Sequence, residues 1–390
     1  MSTPTSSKFS PITANIDSNA SSTAAQKLII GGRRFEIRQA RLDMFFKWMA
    51  ERDRIRRKRA AGEPFPWTKD PIMRNTKFCN VFRIHDRGTQ YLLNEVINKG
   101  DQDFREIAFR VILFKCFMRT ETWEALCKGL GPLKWSTFNL KGYGAVLGKA
   151  YESGPLYTGA YQIPPPKLGY PKARSYMNHL RLVQMMMKDD VPGQLLKLKH
   201  LQDACNLIQE YPGMGPFLSY QLILDLNNIP QLNFPENEWV SYGPGSLKCL
   251  QLIFVQSITG LEFEAMQYLY SSQDEHFARL GITDPPCVEA GNPGVGLVDI
   301  EHALCEASKY YHKSGRGADW RPKDISIPTS TRSKSDVQKP STITFYEATP
   351  DETSYEILHI HRERLGSTGR EYKVRWVGYG PEDDTWLPED

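Results

Sequence analysis

No apolar run in this chain approaches the roughly 20 residues that a membrane-crossing helix needs. The best stretch, Ala108 to Met118, is interrupted by Arg110 and Lys115, which excludes a transmembrane reading. Residues 1 to about 25 are rich in Ser, Thr and Ala but lack the basic start and continuous apolar centre of a secretory signal, so export is not expected. No CxxC pair occurs among the seven cysteines, which are odd in number, widely spaced and often flanked by apolar residues; neither a disulfide framework nor a zinc site is suggested. They read as reduced thiols, mostly buried, in an intracellular protein. No other metal-ligand spacing is present, and no cofactor is expected. What the 390 residues do have is an ordinary globular balance, 40% hydrophobic, 24% charged and 11% aromatic, enough for two or three domains.

The net charge of +4 conceals an asymmetry. Residues 351–390 hold ten acidic against five basic side chains, a net of −5, which leaves +9 on the first 350 residues. A basic body with an acidic tail module suggests partners of opposite charge, nucleic acid for the first and a basic peptide for the second. Residues 1–30 read as a disordered arm, because Ser/Thr-rich sequence with few large apolar residues cannot offset its ordering entropy. Helical spacing of apolar residues then recurs over Arg38–Arg59, Gln90–Ile97, Phe104–Met118, Thr122–Leu126, Ser175–Met187, Leu195–Glu210, Phe217–Leu226, Ser246–Ser257, Glu262–Ser271 and Asp299–Tyr311. The body over 31–312 is therefore mainly α. Residues 313–350, rich in Ser, Thr, Pro, Lys and Arg, read as a basic flexible linker, and 351–390 as a separate small module. The first helix ends in a cluster, Arg52, Arg54, Arg56, Arg57, Lys58 and Arg59, that is a nuclear-import or phosphate-contacting segment on one reading and a solvated helix end on the other.

Two glycine turns stand out in the body. The run Tyr211-Pro-Gly213-Met-Gly215-Pro joins two helical segments, and closely spaced glycines at a helix N-terminus expose N–H groups that suit a phosphate. This turn resembles the helix-hairpin-helix of the DNA glycosylase superfamily, although a plain packing hairpin fits the residues as well. In those glycosylases a catalytic Asp lies about twenty residues past the second glycine. Here that region holds Glu236 and Glu238, and no lysine lies between Asp203 and Leu222 to form an imine, so base excision is not expected. The second turn, Gly243-Pro-Gly245-Ser246, opens another helix and is a further candidate anion cradle.

With Asn80-Val-Phe-Arg83-Ile-His-Asp86-Arg87, Tyr157-Thr-Gly-Ala-Tyr161 and Asp299-Ile-Glu301-His302-Ala-Leu-Cys-Glu306-Ala-Ser-Lys309, that second turn resembles the helical domain shared by 5-hydroxymethyluracil DNA kinases and alpha-glutamyl/putrescinyl thymine pyrophosphorylases, over roughly residues 35–312. The resemblance implies DNA base hypermodification, in which an amino acid or polyamine displaces pyrophosphate from an activated hydroxymethyl group on a thymine in DNA. It places Arg83, Arg87, Lys309 and the turn Gly243, Gly245 and Ser246 on phosphate, while the glycosylase resemblance places Gly213 and Gly215 on the DNA backbone. Asp86, Glu238, Glu301, His302 and Glu306 are the acid/base candidates. A structural ion pair for Arg83 with Asp86 and a core histidine for His302 are the plain alternatives.

In the tail, apolar and polar residues alternate on both sides of a Gly366–Gly369 turn, the pattern of a β-hairpin with one buried face. Tyr372-Lys-Val-Arg-Trp376-Val-Gly-Tyr379 and Glu382-Asp383-Asp-Thr-Trp-Leu-Pro-Glu389 resemble the chromodomain. That resemblance implies a cage of Tyr355, Trp376 and Tyr379 around a methylated lysine, with Asp383 beside it, since aromatic faces attract a cation that has lost its hydrogen bonds. Chromodomains close with a helix after Pro-Glu, and this chain stops at Asp390, so a truncated module is expected. The combined expectation is an α+β protein: a mainly α, glycosylase-like domain plus a small C-terminal β chromodomain. Its implied role is a nuclear, chromatin-directed, DNA-binding base-modifying enzyme whose partners are DNA and a methylated histone tail, with no membrane association. The alternative is a non-catalytic histone reader that recruits a chromatin-modifying complex.

Overall fold

The structure, a computed structural model, describes residues 28–158, 163–289, 292–314, 357–365, 370–376 and 385–388. The chain divides into two compact units, Met1–Arg83 with Glu236–Pro322 and Ile84–Pro235 with Lys323–Asp390, so the stretch expected to be one helical domain is built as a discontinuous unit interrupted by a second. The first unit opens with the strands β1 (Leu28–Ile30) and β2 (Arg33–Phe35) and the helices α1 (Gln39–Ala60) and α2 (Pro71–Asn75). The second follows with α3 (Arg87–Tyr91), α4 (Phe104–Phe117), α5 (Thr120–Leu130), α6 (Leu140–Ser153), α7 (Ser175–Lys188), α8 (Val191–Leu195), α9 (Leu201–Gln209) and α10 (Pro216–Leu226). The first then resumes with α11 (Pro244–Ile253), α12 (Glu262–Ser271), α13 (Gln273–Arg279), the short strands β3 (Cys287–Glu289) and β4 (Asn292–Pro293), and α14 (Leu297–Lys313). Among the described residues no helix is long and apolar enough to cross a membrane.

In the first unit β1 and β2 pair antiparallel through a two-residue turn in which Gly31 and Gly32 both take positive φ, the conformation such a turn demands. This hairpin includes Leu28–Ile30, which the sequence assigns to the disordered arm; the rest of that arm lies outside the described residues. The buried stripe Leu42, Phe45, Phe46 and Met49 anchors α1 to α13 and α14, with Phe46 edge-on to Phe277 at 5.2 Å. The basic run at the end of α1 serves the fold. Buried Asp53 receives Arg56 Nε at 2.7 Å, Arg57 Nε at 3.1 Å and the Cys287 N–H at 3.3 Å. Arg54 pairs with Glu51, Arg57 also with Asp284, and Arg52 donates to the Cys79 and Phe78 carbonyls. Most of these cations are therefore already matched, against the reading of the cluster as a free phosphate or import signal.

The second unit is organised around α4, buried on every side from Ile107 to Phe117. Its N-terminus is capped by Asp103, which accepts from the Arg105 and Glu106 N–H groups. Two cations are buried in this helix, and each is answered internally. Arg110 donates to the Val96 and Asp101 carbonyls at 2.9 and 2.7 Å, while Lys115 meets Asp225 of α10 at 2.6 Å. The helix α6 is not among those expected, because its three glycines hide its helical spacing. Two of them are packing devices: a Cβ on Gly144 would lie 2.5 Å from Met177 Sδ, and one on Gly148 3.2 Å from the Tyr176 hydroxyl, so α7 comes close along this face. The helix expected over Leu195–Glu210 is interrupted before α9. All seven cysteines are free; Cys116, Cys205 and Cys249 are buried and the other four half-buried.

Near the end of the sequence three strands, β5 (Ile357–Leu365), β6 (Arg370–Trp376) and β7 (Thr385–Pro388), form an antiparallel sheet in the order β5-β6-β7. Leu365 lies opposite Arg370 and Ile357 opposite Trp376, with shifts in register between Ile357 and His359 and between Ile360 and Arg362. Tyr355, Tyr379 and Asp383 lie outside the described residues, as does the linker beyond Ser314.

His179 gives the second unit a pH-dependent element. The Ile163 carbonyl can only accept, so Nε2 carries the proton and donates to it at 2.8 Å, leaving Nδ1 to accept from the Tyr157 hydroxyl at 3.0 Å. Burial pushes this pKa down to about 4. Unfolded imidazole protonates near 6.5, so between about pH 4 and 6.5 the unfolded chain holds the extra proton and stability rises with pH. We expect this residue alone to remove about 3 kcal/mol of stability as pH falls from 7 to 4. Urea unfolding across that range in wild type and His179→Gln measures it: the variant should show a shallower slope, and parallel slopes would contradict the assignment.

Candidate functional site

The family-like segment Asp299–Lys309 lies on α14, and the first unit holds that helix by burying its charges. Glu301, His302 and Glu306 are nearly inaccessible. The opposing element is α11, which begins at Gly243 with Pro244 in the first turn, where its missing N–H is no loss. Ser246 Oγ donates to Glu301 Oε1 at 2.7 Å, and the Gly243 N–H donates to the same oxygen at 3.2 Å. Burial pushes the Glu301 carboxyl above its usual range, with the Ser246 and Gly243 donors, the His302 ring and the Arg83 charge acting against that shift.

This corrects the expectation of a phosphate cradle at Gly243, Gly245 and Ser246: the anion at this helix N-terminus is the protein's own Glu301 carboxylate. Gly245 has a separate task. A Cβ there would meet Cys305 Sγ at 2.5 Å and the Cys305 Cα at 3.3 Å, so the glycine sets the approach of α11 to α14. Glu306, fully buried, accepts from the Cys79 N–H at 3.0 Å and from Lys309. Glu306 and Lys309, read from sequence as acid/base and phosphate groups, are thus partners of each other.

The first turn of α14 faces a different environment. A cavity of about 400 Å³ lies beside it, lined by Phe82, Glu236, Asn237, Tyr270, Gln273, Asp274, Val288, Gly294, Val295, Gly296, Val298 and Asp299. Asn237 Oδ1 accepts from the Leu297 N–H at 2.9 Å and so fixes the start of the helix. Gln273 clamps the preceding segment, donating to the Val295 carbonyl at 3.0 Å and accepting from the Val295 N–H at 2.7 Å. Asp299 accepts from the Arg83 N–H at 2.9 Å. Its pKa is raised to about 6, chiefly by desolvation with a smaller push from Glu236, against the Arg83 N–H bond, the His302 ring and the Arg83 charge, which draw it down. A carboxylate poised close to neutrality in a cleft with aromatic walls is suited to take and return a proton.

Sequence reading quotes Asp299 inside its motif without giving it a role; its burial and its place on the cavity wall, which single it out, are properties of the folded chain. Of the two glutamates past the glycine turn, Glu236 lines the cavity and Glu238, the acid/base candidate, does not. Arg83 and His302 lie near both Asp299 and Glu301 and act on their charges. Asp86 and Arg87, at the start of α3, belong to the second unit, as do Gly213 and Gly215. Gly213 takes φ +79° in the turn between α9 and α10, and Gly215 caps α10 ahead of Pro216, so the two helices and their glycine turn form as expected. A second cavity of about 800 Å³ opens beside α1 and α2. The carboxylates on its wall are engaged: Asp43 by Arg279, Glu51 by Arg54, Asp70 by Tyr310 and Asp284 by Arg57.

Comparison with known proteins agrees with the resemblance seen in the helical body. The chain is similar to the 5-hmdU DNA kinase of Bacillus phage SP10, with 26% identity over 314 residues, covering 74% of this chain and 48% of that protein. It thus spans about half the length of that curated relative. No solved structure matches. The family description "5-hmdU DNA kinase, helical domain" matches residues 39–317. The chain belongs to the family of 5-hmdU DNA kinase helical domains.

Proposed function

We propose that this protein is a DNA-base-modifying transferase that acts on the 5-hydroxymethyl arm of a uracil held outside the DNA stack. The observation that carries the reading is Asp299, raised to about 6 on the wall of a cavity large enough for a pyrimidine, in a chain of this family. A base must leave the stack before side chains reach its 5-substituent, and a flipped base is held by stacking and by hydrogen bonds to its edge. Phe82 and Tyr270 supply aromatic surface in the cavity, and the Asn237 amide supplies a polar group. Asp299 then takes the proton from the 5-hydroxymethyl oxygen as that oxygen bonds the terminal phosphorus of a nucleoside triphosphate and the nucleoside diphosphate leaves, or from an amine as its nitrogen bonds the activated methylene and the C–O bond to pyrophosphate breaks. The Arg83 N–H draws the carboxyl down against its burial, so with a pKa of about 6 it is ionised at neutral pH. Arg83 is the proposed phosphate contact within the first unit. In the second unit the Gly213–Gly215 turn is proposed separately as a grip on the DNA backbone.

The test is nucleoside mass spectrometry of an oligonucleotide containing 5-hydroxymethyluracil, incubated with the full chain and either a nucleoside triphosphate or, on pyrophosphorylated substrate, an amine. Wild type should convert the modified nucleoside, at a rate that falls as Asp299 protonates through about pH 6. Asp299→Asn should lower the rate by about 100-fold or more with DNA affinity retained. Full activity in that variant would remove Asp299 from the reaction. DNA binding without product under both conditions would favour the scaffold reading.

The C-terminal strands support a second, separable proposal: a methyl-lysine reader that directs the protein to chromatin in the nucleus. Its supports are the antiparallel β5-β6-β7 register and the aromatic pattern Tyr355, Trp376 and Tyr379 with Asp383. Trp376→Ala should abolish binding to trimethyl-lysine histone peptides, measured by calorimetry, and leave DNA affinity unchanged. Equal binding of methylated and unmethylated peptide by wild type would contradict it.

A further inference from the structure

Between Lys128 and Lys188 the sequence carries nine Lys or Arg and a single acid, Glu152. The basic end of α1 is largely matched by carboxylates. Here Lys141, Lys149, Lys172 and Arg174 are exposed and have no carboxylate partner among the described residues. Lys141, Ala145 and Lys149 recur at four-residue spacing on the outer side of α6. Near the end of that helix Tyr151 is 50% exposed, a large aromatic ring left in water, with its centroid 6.2 Å from that of Tyr176. Arg174 lies close enough to Tyr176 to favour its ionised form, which puts an unpaired guanidinium beside the same aromatic pair.

The surface continues toward the glycine turn. Arg181 stacks on Tyr170 at 4.2 Å, and Asn178 accepts from the Tyr170 N–H at 3.0 Å, so the segment entering α7 is fixed to that helix. Further back the same segment reaches the turn between α9 and α10, where a Cβ on Gly213 would meet Pro166 Cβ at 3.3 Å. Unpaired cations around an exposed aromatic ring suit a phosphate backbone with a base stacked on the ring, because every base presents a π-face. An acidic peptide would use the cations and leave Tyr151 idle.

We propose that the second unit carries a DNA-docking surface running from the Gly213 turn to Lys172, Arg174, Lys149 and Tyr151, on which a strand lays its phosphates along the cations and stacks one unpaired base on Tyr151. It rests on the reading of this chain as a DNA-acting protein, and adds where a strand is held outside the cavity.

Fluorescence anisotropy with a single-stranded oligonucleotide at several salt concentrations tests it on the full chain. Replacing Lys149, Lys172 and Arg174 together by Glu should weaken binding at least ten-fold and flatten the dependence of log K on log salt by about two, since each phosphate contact on a single strand contributes about 0.7. Tyr151→Ala should weaken binding by about ten-fold with the salt slope unchanged, and Tyr151→Phe should restore it. All four positions are exposed, so thermal melting should match wild type and serves as the folding control. Wild-type affinity and slope in the variants, while wild type binds DNA, would reject this surface and leave the transferase reading standing. Absence of DNA binding by wild type would reject both. Displacement of the strand by a polyglutamate peptide that binds Tyr151→Ala as tightly as wild type would assign the surface to an acidic protein partner instead.

Discussion

A buried carboxylate holds the first unit in register. Glu301 has nowhere to find water, so it must find donors, and it finds them in Ser246 and the Gly243 N–H at the positive end of α11. That demand fixes α14 against α11, and Gly245 lets the two backbones approach. With α14 so placed, its first turn brings Asp299 to the cavity while its later turns bury Glu306. Three acids on one helix thereby acquire different fates. Glu301 and Glu306 are consumed by structure, and Asp299, answered by one N–H from Arg83 and nearby positive charge, keeps a carboxylate at the edge of a cleft.

The same bookkeeping of charge separates structure from surface elsewhere. At the end of α1 arginines converge on Asp53, Glu51 and Asp284, and a run that looks like a nucleic-acid signal in sequence becomes part of the packing. Along α4, Arg110 and Lys115 sit in a buried helix because carbonyls and Asp225 receive them. Lys141 and Lys149 on the outer side of α6 and Lys172 and Arg174 ahead of α7 have no such answer among the described residues. What distinguishes them is the scarcity of acids in that stretch of chain, where Glu152 stands against nine Lys or Arg.

Much of the helical order was legible because apolar residues at helical spacing bury one face whatever the neighbours are; α4, α10 and α14 are examples. The α6 helix was not, since its glycines are poor helix formers on their own and make sense only beside Met177 and Tyr176. The family of the body could be read from its motifs, and the helix-joining turn at Gly213–Gly215 from its glycines. The roles within the site were less accessible. Nothing in the order of residues says that the Gly243 turn receives an internal anion, that Glu236 rather than Glu238 borders the cavity, or that Asp299 is the carboxylate displaced toward neutrality. Each follows from which groups are desolvated together, a property of the packed chain.

The central claim is that the cavity beside the first turn of α14 receives an extruded pyrimidine. Photo-crosslinking tests it most directly: the full chain is irradiated with an oligonucleotide carrying a single 5-iodouracil at the target position, and the attached peptides are identified by mass spectrometry. The account predicts crosslinks on the aromatic cavity walls, at Phe82 or Tyr270. Crosslinks confined to other parts of the chain, with both walls untouched, would contradict it.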